Sequence, residues 1–314
     1  MPTLKEITGR IGSVKSTLKI TSAMKLVSSA KLRKAQNAIE AMRPYEEALQ
    51  QILEATSGTP SGIMDVIPDA AAVLGSLSGN SADNPDANPR PRVVVAIASN
   101  SSLCGGFNAN VIAKVREVRK PGDVVYSIGR KMADAMRKDG FPSPEDGNAL
   151  IEHPAYGPAA AMVEKLMEEQ QEGRIGEVLL VYNHFVSTAR QVPTVETLMR
   201  ETPGQAGGDV MPGSDRASMV ANPANATPAH EDFIIEPSRK VLREALEPKV
   251  LKLKLYAALL DSSAAEHAAR TVAMQTATDN ADNLLQELTL QYNKGRQQKI
   301  TSEILDLAGG QSQD

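Results

Sequence analysis

DSSAAEHAARTVAMQTATDNAD, residues Asp261 to Asp282, lies within a stretch from Glu247 to Ala308 that reads as one uninterrupted helix. From Ala257 to Asp282 its composition is mostly Ala, Ser, Thr and Met with few charges. An exposed helix carries a dense charged face and a core helix carries Leu, Ile and Phe. This stretch has neither, which suits a thin shaft that fits inside something without adhering to it. The spacing supports a shaft. Leu246, Val250, Leu253, Ala257, Leu260, Ala264, His267, Thr271, Met274, Thr278, Ala281, Leu285, Leu288 and Tyr292 step by alternating fours and threes, the seam of a coiled coil. Its centre is small and partly polar, so the Leu-rich ends are expected to hold the pair more firmly. A helix of about 60 residues runs about 90 Å and projects from any compact domain.

The partner helix is at the other end of the chain. Residues 3 to 57 hold only Gly9, Gly12 and Pro44 as breakers, and Thr3 with Glu6 reads as a capping box. Leu4, Ile7, Ile11, Val14 and Leu18 form a stripe whose phase then slips toward Ile20, Met24, Val27 and Ala30, a stutter. Residues 1 to 43 carry nine bases against two acids, a net of plus seven in a chain of net charge −4. Such a face suits an acidic protein surface, nucleic acid or an anionic membrane, or is simply solvated.

Between the helices the pattern changes. Arg92 to Ser99 reads as a buried parallel strand, Asn110 to Arg119 as a helix, Asp123 to Ile128 as a strand and Arg130 to Lys138 as a helix. Pro158 to Glu172 follows as a helix, Glu177 to Asn183 as a strand, Phe185 to Met199 as a further extended pair and Phe233 to Ile235 as a last short strand. Alternating strands and helices imply a mostly parallel sheet. The expected fold is therefore mixed α+β and α/β: a long antiparallel coiled coil of the N- and C-terminal helices plus a central Rossmann-like α/β domain. Its divisions are residues 1–57, a loop at 58–90, the domain at 91–236 with an insertion at 202–230, and the second arm at 237–310. Ser57 to Pro91 and Thr202 to His230 are too rich in Gly, Ser, Asn, Asp and Pro to bury a core. Pro237 is placed to open the C-terminal helix, Pro248 to kink or break it, and Gly309 and Gly310 to end it.

Chemistry is thin. Leu103-Cys104-Gly105-Gly106-Phe107-Asn108 sits between a strand and a helix, where phosphate can bind. It has neither the Lys-Ser/Thr of a P-loop nor GxGxxG, so a tight turn is the reading. Cys104 as nucleophile would need a histidine, and His153, His184, His230 and His267 lie in scattered contexts. No metal-ligand spacing is found, and no cofactor is expected. His267 falls on the seam and reads as a packed residue. One cysteine excludes an internal disulfide. No run of 18 apolar residues spans a membrane, and the basic N-terminus lacks the apolar core of a signal peptide.

Three segments together carry a family resemblance. KITSAMKLVSSAKLRKAQ at residues 19 to 36 with Arg43-Pro44-Tyr45, the segment SLCGGFNAN, and the C-terminal run SSAAEHAARTVAMQTATDNADNLLQELTLQYNKGRQQKITSEI resemble the gamma subunit of F-type ATP synthase. The family's Asp-Arg-Gly ahead of Leu-Cys-Gly-Gly stands here as Asn100-Ser101-Ser102, a departure that alters local contacts. The resemblance implies a non-catalytic rotor stalk turning inside a ring of three alpha and three beta subunits. Its domain would rest with epsilon on the ring of c subunits, at the cytoplasmic face of a bacterial plasma membrane that it meets only through the complex. It also implies that Arg296, Gln297 and Thr301 contact a beta-subunit loop, that Met24 lies near the acidic beta lever, and that Lys25 pairs beside it. Solvated helix-end residues are the plain reading of Arg296 and Gln297, and coiled-coil packing is that of Met24. A coiled-coil nucleic-acid-binding protein is the rival; it would show interleaved aromatics, and none precedes Tyr45. An enzyme would need a catalytic constellation, which is not found.

Overall fold

Residues 3–57, 90–200, 236 and 238–310 are described by the structure, a computed structural model. Pro237, the Phe233–Ile235 strand, the 202–230 insertion and nearly all of the 58–90 loop fall outside the described residues.

Helix α1 (Leu4–Ser57) begins with the capping box. Thr3 N–H donates to Glu6 Oε2 at 2.9 Å and Glu6 N–H donates to Thr3 Oγ1 at 3.3 Å, so two of the four orphan donors of the first turn are satisfied. The C-terminal helix, α6 (Arg239–Gly310), starts eight residues before Glu247 and runs through Pro248 unbroken. The Ser238 hydroxyl accepts from Val241 N–H at 3.4 Å at its start. Pro248 forfeits a backbone bond, but Leu246, Val250 and Leu253 pack against Leu49 of α1 on both sides of it. That packing spans the defect, so the expected break does not occur.

The two helices are antiparallel. Thr21 faces Thr278 with hydroxyls 3.0 Å apart, Leu32 and Ala35 pack on Ala264 and Ala268, and a Cβ at Gly295 would lie 3.2 Å from Leu4. All fourteen seam positions expected in α6 are buried or half-buried. The stutter expected in α1 is absent. Ile20 is 60% and Val27 57% exposed, and Ala30 is exposed as well; only Met24 is half-buried. The buried stripe instead continues in strict three-and-four steps through Thr21, Lys25, Ser28, Leu32, Ala35, Ile39 and Met42 to Leu49. The facing α6 residues are themselves small or hydroxylated, so Thr21 and Ser28 fit where larger apolar groups would force the helices apart.

The domain elements are β1 (Val93–Ile97), α2 (Phe107–Val118), β2 (Val124–Ile128), α3 (Arg130–Lys138), α4 (Asn148–Glu152), α5 (Tyr156–Gln171), β3 (Val178–Phe185) and β4 (Gln191–Met199). Helix α2 starts three residues earlier than expected, and α4 was not anticipated at all. The expected extended pair is a hairpin made by the end of β3 with β4. Sheet order is β2-β1-β3-β4, with β1 parallel to both neighbours and β4 antiparallel to β3. Alternation along β1 builds two cores. Val94 and Ala96 meet Val111, Val115, Met132 and Met136 of α2 and α3. Val93, Val95 and Ile97 meet Val163 and Leu166 of α5 and Leu255 and Leu259 of α6. The C-terminal helix is therefore one layer of the domain before it becomes one arm of the coil. Gly129, at φ 99°, turns the chain from β2 into α3 where a Cβ would stand 2.1 Å from the Ala98 carbonyl.

Candidate functional surface: shaft, tip and collar

The small-residue stretch divides in two. From Ala257 to Arg270 every residue but half-buried His267 is buried; beyond it the helix surfaces, with Val272, Thr276, Asp279 and Asn280 exposed. Ala264 and Ala268 pack on α1, while Ala265 and Ala269 pack on Cys104 and Phe107 of the domain. The small side chains of the first half thus answer to close packing inside this chain, and an outer sleeve does not explain them. The smooth-surface reading is left to the second half alone, where Val272, Thr276, Asp279 and Asn280 are exposed.

The tip lies beyond the start of α1. Leu4 stands opposite Gly295, so Arg296 to Gly310 extend as a single helix for about 22 Å beyond the first turn of α1. Arg296 and Gln297 are exposed, and so is Thr301, whose hydroxyl donates to the Gln297 carbonyl at 2.9 Å. Met24 and Lys25 are half-buried on α1. With Thr21 opposite Thr278, they lie about 30 Å down the shaft from Arg296. The structure therefore places these residues in two groups, at the tip and along the shaft, and does not bring the groups together.

Apolar residues exposed on the shaft were not anticipated as surface features. Ile20, Leu26 and Val27 on α1 and Leu290, Ile304 and Leu305 on α6 are 57–70% exposed. Their signal lies in the sequence: they are the large apolar residues left over once the seam keeps one phase. Contiguous patches of such groups mark surfaces that a partner covers, whereas singly scattered ones are ordinary.

The turn after β1 is a packed joint. Ser99 N–H and Oγ both donate to Asn108 Oδ1, at 3.1 and 2.9 Å. Asn108 Nδ2 donates to Cys104 Sγ at 3.2 Å, and Cys104 is 1% exposed. Leu103 adopts φ 66° and Gly105 φ 57°, the left-handed geometry that closes the turn. The thiol's partner is an amide and not an imidazole, and no group of three metal-ligating side chains exists among the described residues. A cleft of about 410 Å³ between β2, residues 143–147 and α5 is crossed by the Lys165–Glu145 ion pair and holds no nucleophile beside a base.

His267 sits on the seam. Burial, with Arg270 and Lys31 nearby, lowers its pKa from 6.5 to about 4. The neutral ring is the folded form, so its contribution to stability is complete above pH 6.5 and is lost as pH falls toward 4. Imidazole resonances of His267 are expected to hold steady from pH 8 to 5 and titrate near pH 4. In His267→Gln the melting temperature is expected to fall less between pH 6.5 and 4.5 than in the wild type. A His267 titration midpoint near 6.5 would contradict the burial.

The ATP synthase family model matches residues 3–312. The chain is 44% identical to the ATP synthase gamma chain of Bacteroides fragilis and 42% to that of Phocaeicola vulgatus, each over 99% of both chains. Its fold is similar to the rotor of the Euglena gracilis mitochondrial ATP synthase, with TM-score 0.62 at 18% identity over 95% of this chain and 98% of that one. It is also similar to a chain of the Tetrahymena thermophila mitochondrial central stalk and c-ring, with TM-score 0.53 at 21% identity over 82% and 99%.

Proposed function

Since the chain belongs to the ATP synthase gamma family, we propose that it is the central rotor shaft of an F-type ATP synthase. The coiled coil turns inside the ring of alpha and beta subunits, and the domain rests with epsilon on the c-ring. The chain itself catalyses nothing: it carries rotation from the c-ring to the beta sites. One observation carries this reading. A paired helical shaft leaves a compact domain, ends in an unpaired tip, and bears exposed apolar residues along its outside. The described helices include none long and apolar enough to cross a membrane. Attachment through the complex, at the cytoplasmic face of the plasma membrane, is part of the proposal.

Residues 1–57 and 237–310 serve as the two arms and 91–236 as the foot. Arg296, Gln297 and Thr301 contact a beta-subunit loop at the tip, while Met24 and Lys25 face the acidic beta lever lower down. The half-burial of Met24 leaves it able to pack on α6 and on a partner at once. The relatives speak for this reading over nucleic-acid binding. Co-expression with the alpha and beta chains of the same synthase is expected to yield a complex that hydrolyses ATP and rotates a probe fixed to the foot. An alpha–beta ring that forms without retaining this chain would refute it.

A further inference from the structure

Ten residues of α6, from Asp261 to Arg270, touch three different bodies. Toward α1 the contacts are the alanine packing of Ala264 and Ala268. Toward the β3–β4 hairpin, both oxygens of Asp261 are engaged: Oδ2 lies 2.5 Å from His184 Nδ1 and Oδ1 accepts from Phe185 N–H at 3.1 Å. Toward the loop after β1, Arg270 Nη2 donates to Ser101 Oγ at 2.8 Å and to the Ser102 carbonyl at 3.5 Å, while Nη1 is held by Glu266 of the same helix at 2.7 Å, both side chains being 10% exposed. Ser101 stands where the family motif has Arg, a residue that would set two cations together.

Buried ion pairs are poor stabilisers, because desolvation offsets most of their attraction. What they supply is direction, since a hydrogen bond weakens steeply off its axis. Apart from His267, the rest of this ten-residue collar is alanine and serine, whose low relief resists sliding or twisting weakly. We infer that Asp261 and Arg270 are positioning residues that lock the foot domain to the shaft against twist. On the rotor reading they fix the base of the free coil near Arg270. The inference rests on the rotor reading, and it locates where twist can be stored. Below the lock, Leu255 and Leu259 are sealed in the sheet core; just above it Gly105 still lies against Ala273, and beyond Ala273 the coil stands clear of the domain to Gly295.

Cys104 reports on the lock, because it is the chain's single cysteine and lies beneath Ala265 and Ala269. In the full-length chain, Arg270→Ala is expected to raise the rate of Cys104 labelling by a thiol reagent at least tenfold with helix content unchanged. Arg270→Lys is expected to restore part of the protection, and Ser101→Ala, which removes one link and leaves Arg270 against the Ser102 carbonyl, to raise labelling less. In the complex with alpha and beta chains, losing the lock lengthens the free coil from about 33 Å to about 54 Å. Torsional stiffness, read from angular fluctuations of a probe on the foot, should then fall by about 40% in Arg270→Ala with Asp261→Asn, stiffness varying inversely with free length. Labelling at the wild-type rate in Arg270→Ala and Ser101→Ala, or unchanged stiffness, overturns the lock. A wild-type chain that forms no complex overturns the rotor reading instead, and the labelling result still decides whether the collar holds.

Discussion

Arg296→Ala combined with Gln297→Ala is expected to lower ATP synthesis by the coupled complex at least about tenfold while leaving the free chain as stable as the wild type. Both side chains are exposed on a single helix with no α1 residue opposite them. Surface substitutions of that kind move stability by no more than about 0.5 kcal/mol, and alanine suits a helix interior. In the complex the same side chains would meet a beta-subunit loop, where a hydrogen bond to a charged group is worth about 1.5–3 kcal/mol. Losing one such bond changes an equilibrium about tenfold or more. Thr301→Ala should be milder, because its hydroxyl is already spent on the Gln297 carbonyl. Synthesis within twofold of wild type, in complexes of normal composition, would remove the pair from coupling.

The parts of the fold that were legible are those where one short-range rule decides. Thr3 and Glu6 form a capping box wherever they start a helix. The α6 seam was readable because Leu246 to Leu260 and Leu285 to Tyr292 bracket its polar centre in one phase. The α1 phase was misread for the opposite reason. Ile20 and Val27 outweigh Thr21 and Ser28 in hydrophobicity, and only the facing hydroxyl of Thr278 shows why the smaller pair goes inside. Helix α4 spans five residues, too short for periodicity to register. Glu266 and Arg270 have the i,i+4 spacing of a solvated surface pair, and nothing in the sequence singles them out; their burial follows from the domain and α1 closing on the same turn, which no local pattern states. The tip residues carry no signal of their own. Their proposed role came from resemblance, and the structure adds only that they are exposed where the pairing ends.

Ala264→Leu combined with Ala268→Leu is expected to be the most damaging change in the shaft. It also separates the two explanations of the small-residue stretch. If smallness served only an outer sleeve, enlarging these side chains would leave the free chain intact and disturb only the complex. Both alanines are instead 0% exposed against Leu32 and Ala35, with the domain pressing on Ala265 and Ala269 one position further round. Extra methylenes there have no void to enter. Overpacking costs about 1–3 kcal/mol per site. The pair shares one contact region, so the costs need not add, but about 2–6 kcal/mol is a large share of a typical 5–15 kcal/mol stability. The melting temperature of the free chain should drop by about 5–15 °C, and Cys104 labelling should rise as the collar is wedged open. Thr276→Leu is the control, being exposed on the same helix above the collar; the free chain should tolerate it within about 0.5 kcal/mol. A stable Ala264→Leu, Ala268→Leu chain with Cys104 still protected would mean that α1 can move away from α6 without cost. The close antiparallel pairing would then not be what demands alanine at these positions.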